Sequence, residues 1–507
     1  MRLPRTLLLA CAAGFLGACT TVGPDYVQPE SPLGPDWYEA EFERYDTDAE
    51  QQVLWWKALG DPVLDELIEL AHRQNNNLKI AGLRVLESRA QLGIAVGSKY
   101  PQTQVVAGDA SAIQASKNAA NTAAGDLSFT QFNVGVSASW EIDFWGKFRR
   151  GIESADAAYL ASVAGYDQVM ILVTAQVCSA YLAVRTLEEQ IRITNYNIAI
   201  QQRSFDIVNV NFENGATSEL DVLQARTLLM ATKAALPSLQ AQLYQARNAL
   251  ATLLGMPPSD MSDLLKSGSA IMRVPEKLAV GLPADLLRRR PDVRQAEYLA
   301  MAQNAQVGLA EANLYPSFSL TGSVGLSAAA NTDTTQTGNS GIGELFNGDS
   351  LTYSIGPSFV WPFLNYDRIR NSVRVQDARL QQALIAYRET VLQAAMEVQD
   401  AVVALEGSEQ QDELLAVTVS NAQRSAEVAQ LRFNEGFADY QRVLDAQQSL
   451  FTQQSRYVNN HSNIIANFIA LYLALGGGWE LRDDADMIDA ETRDTMKERT
   501  NWGDLIE

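Results

Sequence analysis

Side chains suited to chemistry are scarce in this chain. Its 507 residues include only two histidines, His72 and His461, and three cysteines, so multi-histidine metal centres and most histidine-based catalytic sites lack their essential groups. The chain has 39 basic and 60 acidic residues, and its net charge of −21 does not suit a phosphate-binding surface. We therefore expect no enzyme, no catalytic residue, no metal site and no nucleic acid partner.

Several motifs that could bind ligands are better explained by structure. Gly476-Gly477-Gly478 lacks the Lys-Ser/Thr that follows a phosphate-binding loop, and a helical pattern precedes it, so we interpret it as a helix C-cap. Arg288-Arg289-Arg290 is expected to pair with local carboxylates or helix ends. Cys178 follows an apolar helical position and is expected to pack rather than react, while His72 and His461 are expected on helix surfaces.

The N-terminus has the features of an export signal. Arg2 and Arg5 precede the apolar stretch Leu7–Phe15, which is too short to span a bilayer as a helix. Small residues then lead to Cys19, a pattern that resembles a lipobox, in which the thiol is acylated and cleavage leaves cysteine as the first residue. We favour this over an ordinary signal peptide with a chance cysteine. By the same resemblance, Thr20 in place of Asp favours the outer membrane, and the lipid on Cys19 is the only prosthetic group expected.

Two copies of one unit make up most of the remaining sequence. Motifs of the first half recur in the second at an offset of 215 positions and then, beyond a polar insertion, at 221. The recurring pairs include Tyr100-Pro101 and Tyr315-Pro316, Trp140 and Trp361, Phe212 and Phe433, Gly215 and Gly436, and Val222-Leu223 and Val443-Leu444.

Each copy is predicted to contain two strands. Apolar and polar residues alternate over Phe132–Ile142, Phe318–Leu326 and Leu351–Phe363, whereas Thr103–Ile113 is placed by the repeat alone. Strands of about 10 to 13 residues have the length of tilted transmembrane strands. The aromatic residues at their ends suit a membrane interface, and the stretches Gln114–Ser128 and Ala328–Ser350 are predicted as exposed loops.

A soluble sandwich sheet is the alternative explanation of this alternation. The lipid anchor and the Ser, Thr, Asn and Gly residues of the polar faces favour a wet lumen instead. Four strands cannot close a barrel and an open edge in lipid is not tolerated, so several chains must contribute strands. No run of 18 apolar residues follows the signal, and we predict no transmembrane helix.

A very long helix follows each pair of strands. From Lys147 to Asn211 there is no proline, and apolar residues recur at 3-4 spacing over more than five heptads, as in a coiled-coil seam. Such a helix reaches about 100 Å at 1.5 Å per residue. The pattern breaks at Gly215, before a possible N-cap at Ser218, and again at Gly436, so each copy is predicted to end in a helical hairpin.

The chain resembles an outer membrane factor of the TolC-like superfamily, most closely the NodT-type lipoproteins found with resistance-nodulation-division (RND) efflux pumps. The residues that carry the resemblance are Cys19–Tyr26, Trp55-Trp56, Asp61-Pro62, Trp140–Gly146, Arg289–Val293 with Ala296-Glu297, Val443–Leu450 and Ala474–Trp479. The resemblance implies an α+β membrane protein with an internal two-fold structural repeat. Three chains would form a 12-stranded β-barrel, four strands per chain, continuous with a long periplasmic α-helical barrel.

The repeat and the resemblance together predict the domain organisation. The predicted segments are 1–18, the lipoprotein signal peptide; 19–60, an extended lipid-anchored segment; 61–260, the first repeat; 261–283, an equatorial linker; 284–478, the second repeat; and 479–507, an acidic C-terminal tail.

The predicted function is that of an outer membrane channel in a tripartite efflux system. It would passively conduct drugs or other small molecules, delivered by a periplasmic membrane-fusion adaptor and an inner-membrane RND transporter, to the exterior. The alternative is a lipid-anchored periplasmic coiled-coil scaffold without a pore. A hydrolase is disfavoured because the repeat-related acids lie at hairpin ends rather than in a cleft.

Functional residues are predicted at the hairpin ends. The resemblance implies that the adaptor docks at the tips Gly215, Ala216, Thr217, Ser218, Gly436, Phe437, Ala438 and Asp439. Acidic residues brought together three times around one axis repel, so some must pair with arginines or bind cations to keep the tunnel shut. The candidate periplasmic gate is Glu219, Asp221, Arg226, Arg442 and Asp445. The net negative charge predicts a preference for cations.

Overall fold

The computed structural model describes residues 21–29, 45–46, 53–118, 127–258, 261–266, 272, 274–275, 278–279, 289–331, 342–484 and 486–506. The predicted signal peptide and the lipidation site Cys19 lie outside these residues, as do Arg288 and about half of the predicted equatorial linker.

Long helices and a four-stranded sheet make up most of the described chain. The helices are α1 (Pro62–Gln74), α2 (Asn76–Gly97), α3 (Lys147–Glu213), α4 (Glu219–Leu253), α5 (Ser262–Leu265), α6 (Pro291–Ala312), α7 (Arg368–Asn434), α8 (Tyr440–Leu475) and α9 (Ala490–Arg499). The strands are β1 (Tyr45–Asp46), β2 (Thr103–Gln114), β3 (Ser128–Ile142), β4 (Leu278–Ala279), β5 (Ser317–Asn331) and β6 (Leu351–Val360). The helices α3 and α7 both contain 67 residues and begin 221 positions apart.

The chain divides into two compact units. The first comprises residues 1–29, 87–160 and 297–385 and contains the sheet. The second comprises residues 30–86, 161–296 and 386–507 and is helical apart from the short parallel pair β1 and β4.

The sheet of the first unit is antiparallel, with strand order β2-β3-β5-β6. Its register places apolar side chains on one face, where Val136 is opposite Val324 and Val324 is opposite Tyr353. On the other face Ser137 is opposite Ser323, and the hydroxyls of Ser323 and Ser354 lie 3.0 Å apart. The sheet therefore has one apolar and one polar face, as the alternation predicts.

Strand boundaries differ from the predicted ones in the second copy. The strand β6 ends at Val360 rather than at Phe363, because Pro362 cannot donate a ladder hydrogen bond and the Phe363 amide bonds to the Trp361 carbonyl, 2.9 Å away. Conversely, β5 extends to Asn331, beyond the Leu326 at which the alternation was expected to end.

The core of the second unit centres on aromatic and aliphatic residues. Trp55 stacks on Tyr472, with ring centroids 5.4 Å apart, and both pack with Phe468. Cys178 and Tyr181 of α3 are fully buried in this core. Burial raises the pKa of the Cys178 thiol, which fits the predicted packing role.

The prediction that both histidines lie on helix surfaces holds only in part, because both side chains are half-buried. His72 is half-buried, and its Nε2 lies 2.8 Å from the Thr174 hydroxyl, which itself donates to the Met170 carbonyl. The ring of His461 lies between Met272 and Asp412, with Nε2 3.3 Å from the Met272 carbonyl. The helical pattern placed both correctly on helices but did not reveal the neighbouring elements that cover them.

One helix among the described residues is long and apolar enough to cross a membrane, which the sequence did not lead us to expect. An 18-residue window of α3 has a mean hydropathy of 1.5, and 67% of it is buried within the protein. A buried core helix shows the same composition, so this feature is weak evidence for a span.

Candidate functional site

The tip of the first hairpin joins α3 to α4. Gly215 adopts a left-handed conformation, with φ of 77°. Its amide bonds to the Phe212 carbonyl (2.8 Å), and the next amide, that of Ala216, reaches the Asn211 carbonyl (2.7 Å). This is a Schellman cap, in which the left-handed position favours glycine.

A capping box starts the return helix of the first hairpin. The Ser218 hydroxyl accepts from the Asp221 amide (3.3 Å), and the Asp221 carboxylate accepts from the Ser218 amide (3.1 Å). The N-cap predicted for Ser218 is therefore present. The Asp221 carboxylate, which we placed in the candidate gate, is engaged with its own helix terminus in this chain.

The second hairpin has the same turn but a weaker start to its return helix. Gly436 has φ of 80°, and the Phe437 amide bonds to the Arg432 carbonyl (2.8 Å), which repeats the Schellman cap. Asp439 occupies the N-cap of α8, yet its side chain accepts no capping hydrogen bond. The two tips thus share a backbone geometry and differ in their side-chain caps.

A hydrophobic cluster joins the two hairpins just below their tips. It contains Val208, Ala225, Phe433, Tyr440, Val443 and Leu444, one or more from each of α3, α4, α7 and α8. The Tyr440 hydroxyl lies 3.2 Å from that of Ser204, and Ser204 also donates to Gln430 (3.1 Å). Burial raises the pKa of Tyr440. The tips therefore stand on one packed four-helix base.

The predicted docking residues lie at the surface of this base. Gly215, Ala216, Ser218, Gly436, Phe437 and Asp439 are exposed, whereas Thr217 and Ala438 are half-buried. A Cβ added to Gly215 or Gly436 would meet no atom within 4 Å, so only the left-handed backbone restricts these two positions.

The gate candidates lie on the return helices but do not pair within one chain. Glu219, Arg226, Arg442 and Asp445 are exposed. Asp445 accepts a hydrogen bond from Gln441 one turn away (2.9 Å). Within the described residues, neither Arg226 nor Arg442 forms a salt bridge, so these residues do not show the pairing predicted for the gate within one chain.

Sequence reasoning missed a hydrogen-bond network on the polar face of the sheet. The Asn133 amide donates to both carboxylate oxygens of Asp109 (3.2 and 3.3 Å) and accepts from the Ser327 hydroxyl (2.8 Å). Among the described residues, Asp109 and Glu141 are the charged side chains of this face, and Lys147 pairs with Glu141 at 3.0 Å. The register of β2 against β3 places Asp109 opposite Asn133. The poor alternation of β2 concealed this register in the sequence.

The described part of the predicted arginine cluster stabilises a helix end. Arg290 is buried, pairs with Asp292 (2.7 Å) and Glu397 (2.8 Å), and donates to the Ala474 carbonyl in the last turn of α8. Burial would lower its pKa, but these two carboxylates raise it above the usual value. Two residues later Gly476 caps α8 with φ of 73°, which confirms the predicted C-cap.

The sequence profile of the outer membrane efflux protein family matches residues 67–256 and 282–477, which is most of the chain. The chain belongs to this family. It is an outer membrane efflux channel component, and the family consists of channels rather than enzymes.

Individual relatives match over nearly their whole length. The chain is 31% identical over 484 residues to the pyoverdine export outer membrane protein OpmQ of Pseudomonas putida, covering 95% of this chain and 99% of OpmQ. It is 30% identical over 486 residues to the cation efflux system protein CusC of Escherichia coli, covering 94% and 99%.

Solved outer membrane channels have the same fold. The outer-membrane channel OprN aligns with a TM-score of 0.83 and 28% identity, over 90% of this chain and 99% of OprN. The open-state MtrE channel of Neisseria gonorrhoeae aligns with a TM-score of 0.76 and 27% identity, over 90% and 98%. The efflux protein described here is thus located in the outer membrane, with its sheet and long helices forming a channel-type fold.

Proposed function

We propose that three copies of this efflux protein assemble through the edges of their sheets into a 12-stranded barrel. The single observation that carries this proposal is the sheet itself, which has an apolar and a polar face and ends in β2 on one side and β6 on the other. Unpaired edges are not tolerated in lipid, so β6 of one copy pairs with β2 of the next. The polar face then lines a water-filled lumen.

The helical hairpins extend this duct into the periplasm as an α-helical barrel. The equal lengths of α3 and α7 and their matching end caps support an internal two-fold structural repeat, so that three chains supply six similar hairpins. The exposed tips at Gly215–Ser218 and Gly436–Asp439 dock the adaptor, which connects the duct to an inner-membrane RND transporter.

The gate lies where the return helices of neighbouring subunits meet. Arg226, Arg442, Glu219 and Asp445 are exposed in the first three turns of α4 and α8, so they can contact the corresponding residues of neighbouring subunits. Adaptor docking replaces these contacts with new ones, and the hairpins splay open.

A lipid on Cys19 anchors the mature chain to the outer membrane. In support, the described residues just after it, Thr21–Asp25, pack at the base of the sheet: the Val22 amide bonds to the Trp145 carbonyl (3.1 Å), and Arg150 pairs with Asp25 (2.8 Å). The lipid is structural and takes no part in transport.

Cargo is selected elsewhere in the system. The names of relatives with similar identity refer to pyoverdine, toluene and cations, so a passive conduit of this kind accommodates unlike cargoes. We propose drugs or other small molecules as the cargo class, with selection by the inner-membrane pump.

The mass and the conductance of the purified mature protein test this proposal together. Native mass spectrometry is expected to give three chains per particle, and planar bilayers are expected to show discrete ion currents. A trimer without current in either gating state would favour a coiled-coil scaffold, and a monomer without current would contradict the proposal.

A further inference from the structure

The two strand-to-helix junctions of the sheet unit occupy equivalent positions in the two repeats but differ in their exposure to solvent. At the first, between β3 and α3, Gly146 is left-handed (φ 77°) and packs against Thr21 of the N-terminal segment. The next residue of that segment, Val22, donates its amide to the Trp145 carbonyl (3.1 Å). The side chains of Phe144 and Trp145 are half-buried.

The second junction, between β6 and α7, also contains left-handed residues but is more exposed. Asp367 lies 221 positions after Gly146 and is also left-handed (φ 62°), as is Tyr366 beside it (φ 47°). Tyr366, the counterpart of Trp145, is 93% exposed. The left-handed conformation is unfavourable for tyrosine, whereas aspartate adopts it more readily.

Apolar side chains line the second junction. Trp361 is 52% exposed, and Phe363 and Leu364 are each 69% exposed. Trp361 and Phe363 follow directly after β6, and their ring centroids lie 6.3 Å apart. The Trp361 indole donates to the Leu314 carbonyl (3.1 Å), which fixes its polar edge and leaves the ring face outward. Exposed apolar residues therefore lie between the end of β6 and the start of α7.

Arginine side chains follow directly in the first two turns of α7. Between residues 361 and 374 there are three arginines and a single acid, Asp367, in a chain whose net charge is −21. Arg370 and Arg374 lie one helical turn apart and are exposed. Arg370 is 3.3 Å from Asp367, and Arg374 donates to Asn371 (2.9 Å), so both guanidinium groups are held locally and remain accessible to water.

We propose that this second junction, residues 361–374, is a binding surface for anionic phospholipid headgroups. Aromatic residues at the edge of an apolar face, followed by long cationic side chains, match the acyl boundary and the phosphate layer of a leaflet in the same order. The surface follows directly after β6 along the chain, so the inference rests on the proposed orientation of the apolar sheet face toward lipid. The first junction, covered by its own N-terminal segment, binds lipid weakly or not at all.

Lipid retention in nanodiscs tests the cationic half of this surface. The double variant Arg370→Gln/Arg374→Gln is expected to retain at least three-fold less phosphatidylglycerol in native mass spectra, with phosphatidylcholine retention unchanged. The control Arg424→Gln/Arg456→Gln makes the same charge change at exposed positions of α7 and α8 and is expected to behave as wild type. Equal loss in both variants, or no loss in either, would overturn the assignment.

Spin labelling tests the apolar half. A nitroxide on Tyr366→Cys is expected to collide with oxygen and with a water-soluble nickel reagent at the ratio typical of the headgroup region. A label shielded from both reagents would show that a second copy or another protein covers the junction, and the lipid assignment would be wrong. Conductance of the same samples separates the outcomes, since a pore that conducts normally while failing both tests refutes the lipid surface alone.

Discussion

The Tyr181 hydroxyl donates a hydrogen bond of 2.7 Å to the carboxylate of Asp61, although the two residues are 120 positions apart. Asp61 is the N-cap of α1, and Arg185 donates in turn to the Tyr181 oxygen (2.9 Å) and to the Leu265 carbonyl (2.7 Å). One buried chain of polar contacts therefore joins α1, α3 and the short helix α5.

Removing the Tyr181 hydroxyl is expected to destabilise this network. Tyr181→Phe leaves the buried Asp61 and Arg185 groups with one partner fewer, at a cost of about 1–3 kcal/mol. Thermal unfolding of the detergent-solubilised protein measures the effect. Tyr196→Phe, at an exposed position of α3, is the matched control and is expected to be neutral; equal melting temperatures for both variants would contradict the role of the network.

Acid is expected to destabilise the helical unit through His72. Burial lowers the pKa of His72 to about 4, so the unfolded chain binds a proton that the folded chain excludes between pH 6.5 and about 4. Stability from this residue is full above pH 6.5 and falls by about 3 kcal/mol as the pH drops to 4. His72→Gln, which cannot titrate, should flatten this part of the unfolding profile, and an unchanged slope would show that His72 is not responsible.

The glycines of the hairpin tips are expected to be constrained by backbone conformation alone. Gly215→Ala and Gly436→Ala should each cost about 1 kcal/mol because alanine is unfavourable in the left-handed region, although there is space for its methyl group. Gly407→Ala in the interior of α7 is the control, and helix propensity predicts that it is stabilising by up to about 1 kcal/mol. Hydrogen exchange of the tip amides is expected to be faster in the two tip variants than in the control. Equal exchange rates would show that the tips are flexible turns.

Charge on the polar sheet face is expected to set ion preference. Asp109→Asn removes the one carboxylate of the described face that lacks a cationic partner within hydrogen-bonding reach, so the cation preference should fall. Asn133→Ala removes its hydrogen-bond donor without changing the charge and should leave the preference near wild type. Reversal potentials in a salt gradient measure both, and an anion-selective wild type would contradict this electrostatic picture.

Opening of the gate is expected to depend on Arg442 and Asp445. Arg442→Ala and Asp445→Ala remove opposite charges from the first two turns of α8, and either should raise single-channel conductance and antibiotic uptake if inter-subunit pairing keeps the duct closed. Gln448→Ala, an exposed residue on the same helix, serves as the control. Unchanged conductance in both charge variants would exclude them from the gate.

Periodicity predicted much of this fold because both element types repeat their environment at a fixed interval. The end of α3, the left-handed caps and the two-faced sheet follow from spacing and from glycine chemistry. The end of β6 could not be predicted in this way. The alternation of apolar residues continues through Trp361, whereas the strand ends at Val360, before Pro362.

Contacts between distant elements could not be read from the sequence. Asp221 looked like a gate residue because its charge was evident, whereas its capping box with Ser218 depends on where α4 starts. The Asp109–Asn133 pair required the register of β2, and the burial of His72 required the position of α3. Side-chain roles that depend on tertiary packing therefore emerged only from the structure.

Cross-linking between sheet edges tests the central claim most directly. Val106 on β2 and Ile355 on β6 are exposed on the apolar face, so Val106→Cys is combined in turn with cysteine at Leu351, Tyr353, Ile355 or Phe359 to sample the register between neighbouring copies. We predict that at least one oxidised pair runs as a covalent trimer in denaturing gels and reverts to a monomer on reduction. If every pair remains monomeric while the protein is folded in membranes, the edges do not meet and the three-chain barrel is wrong.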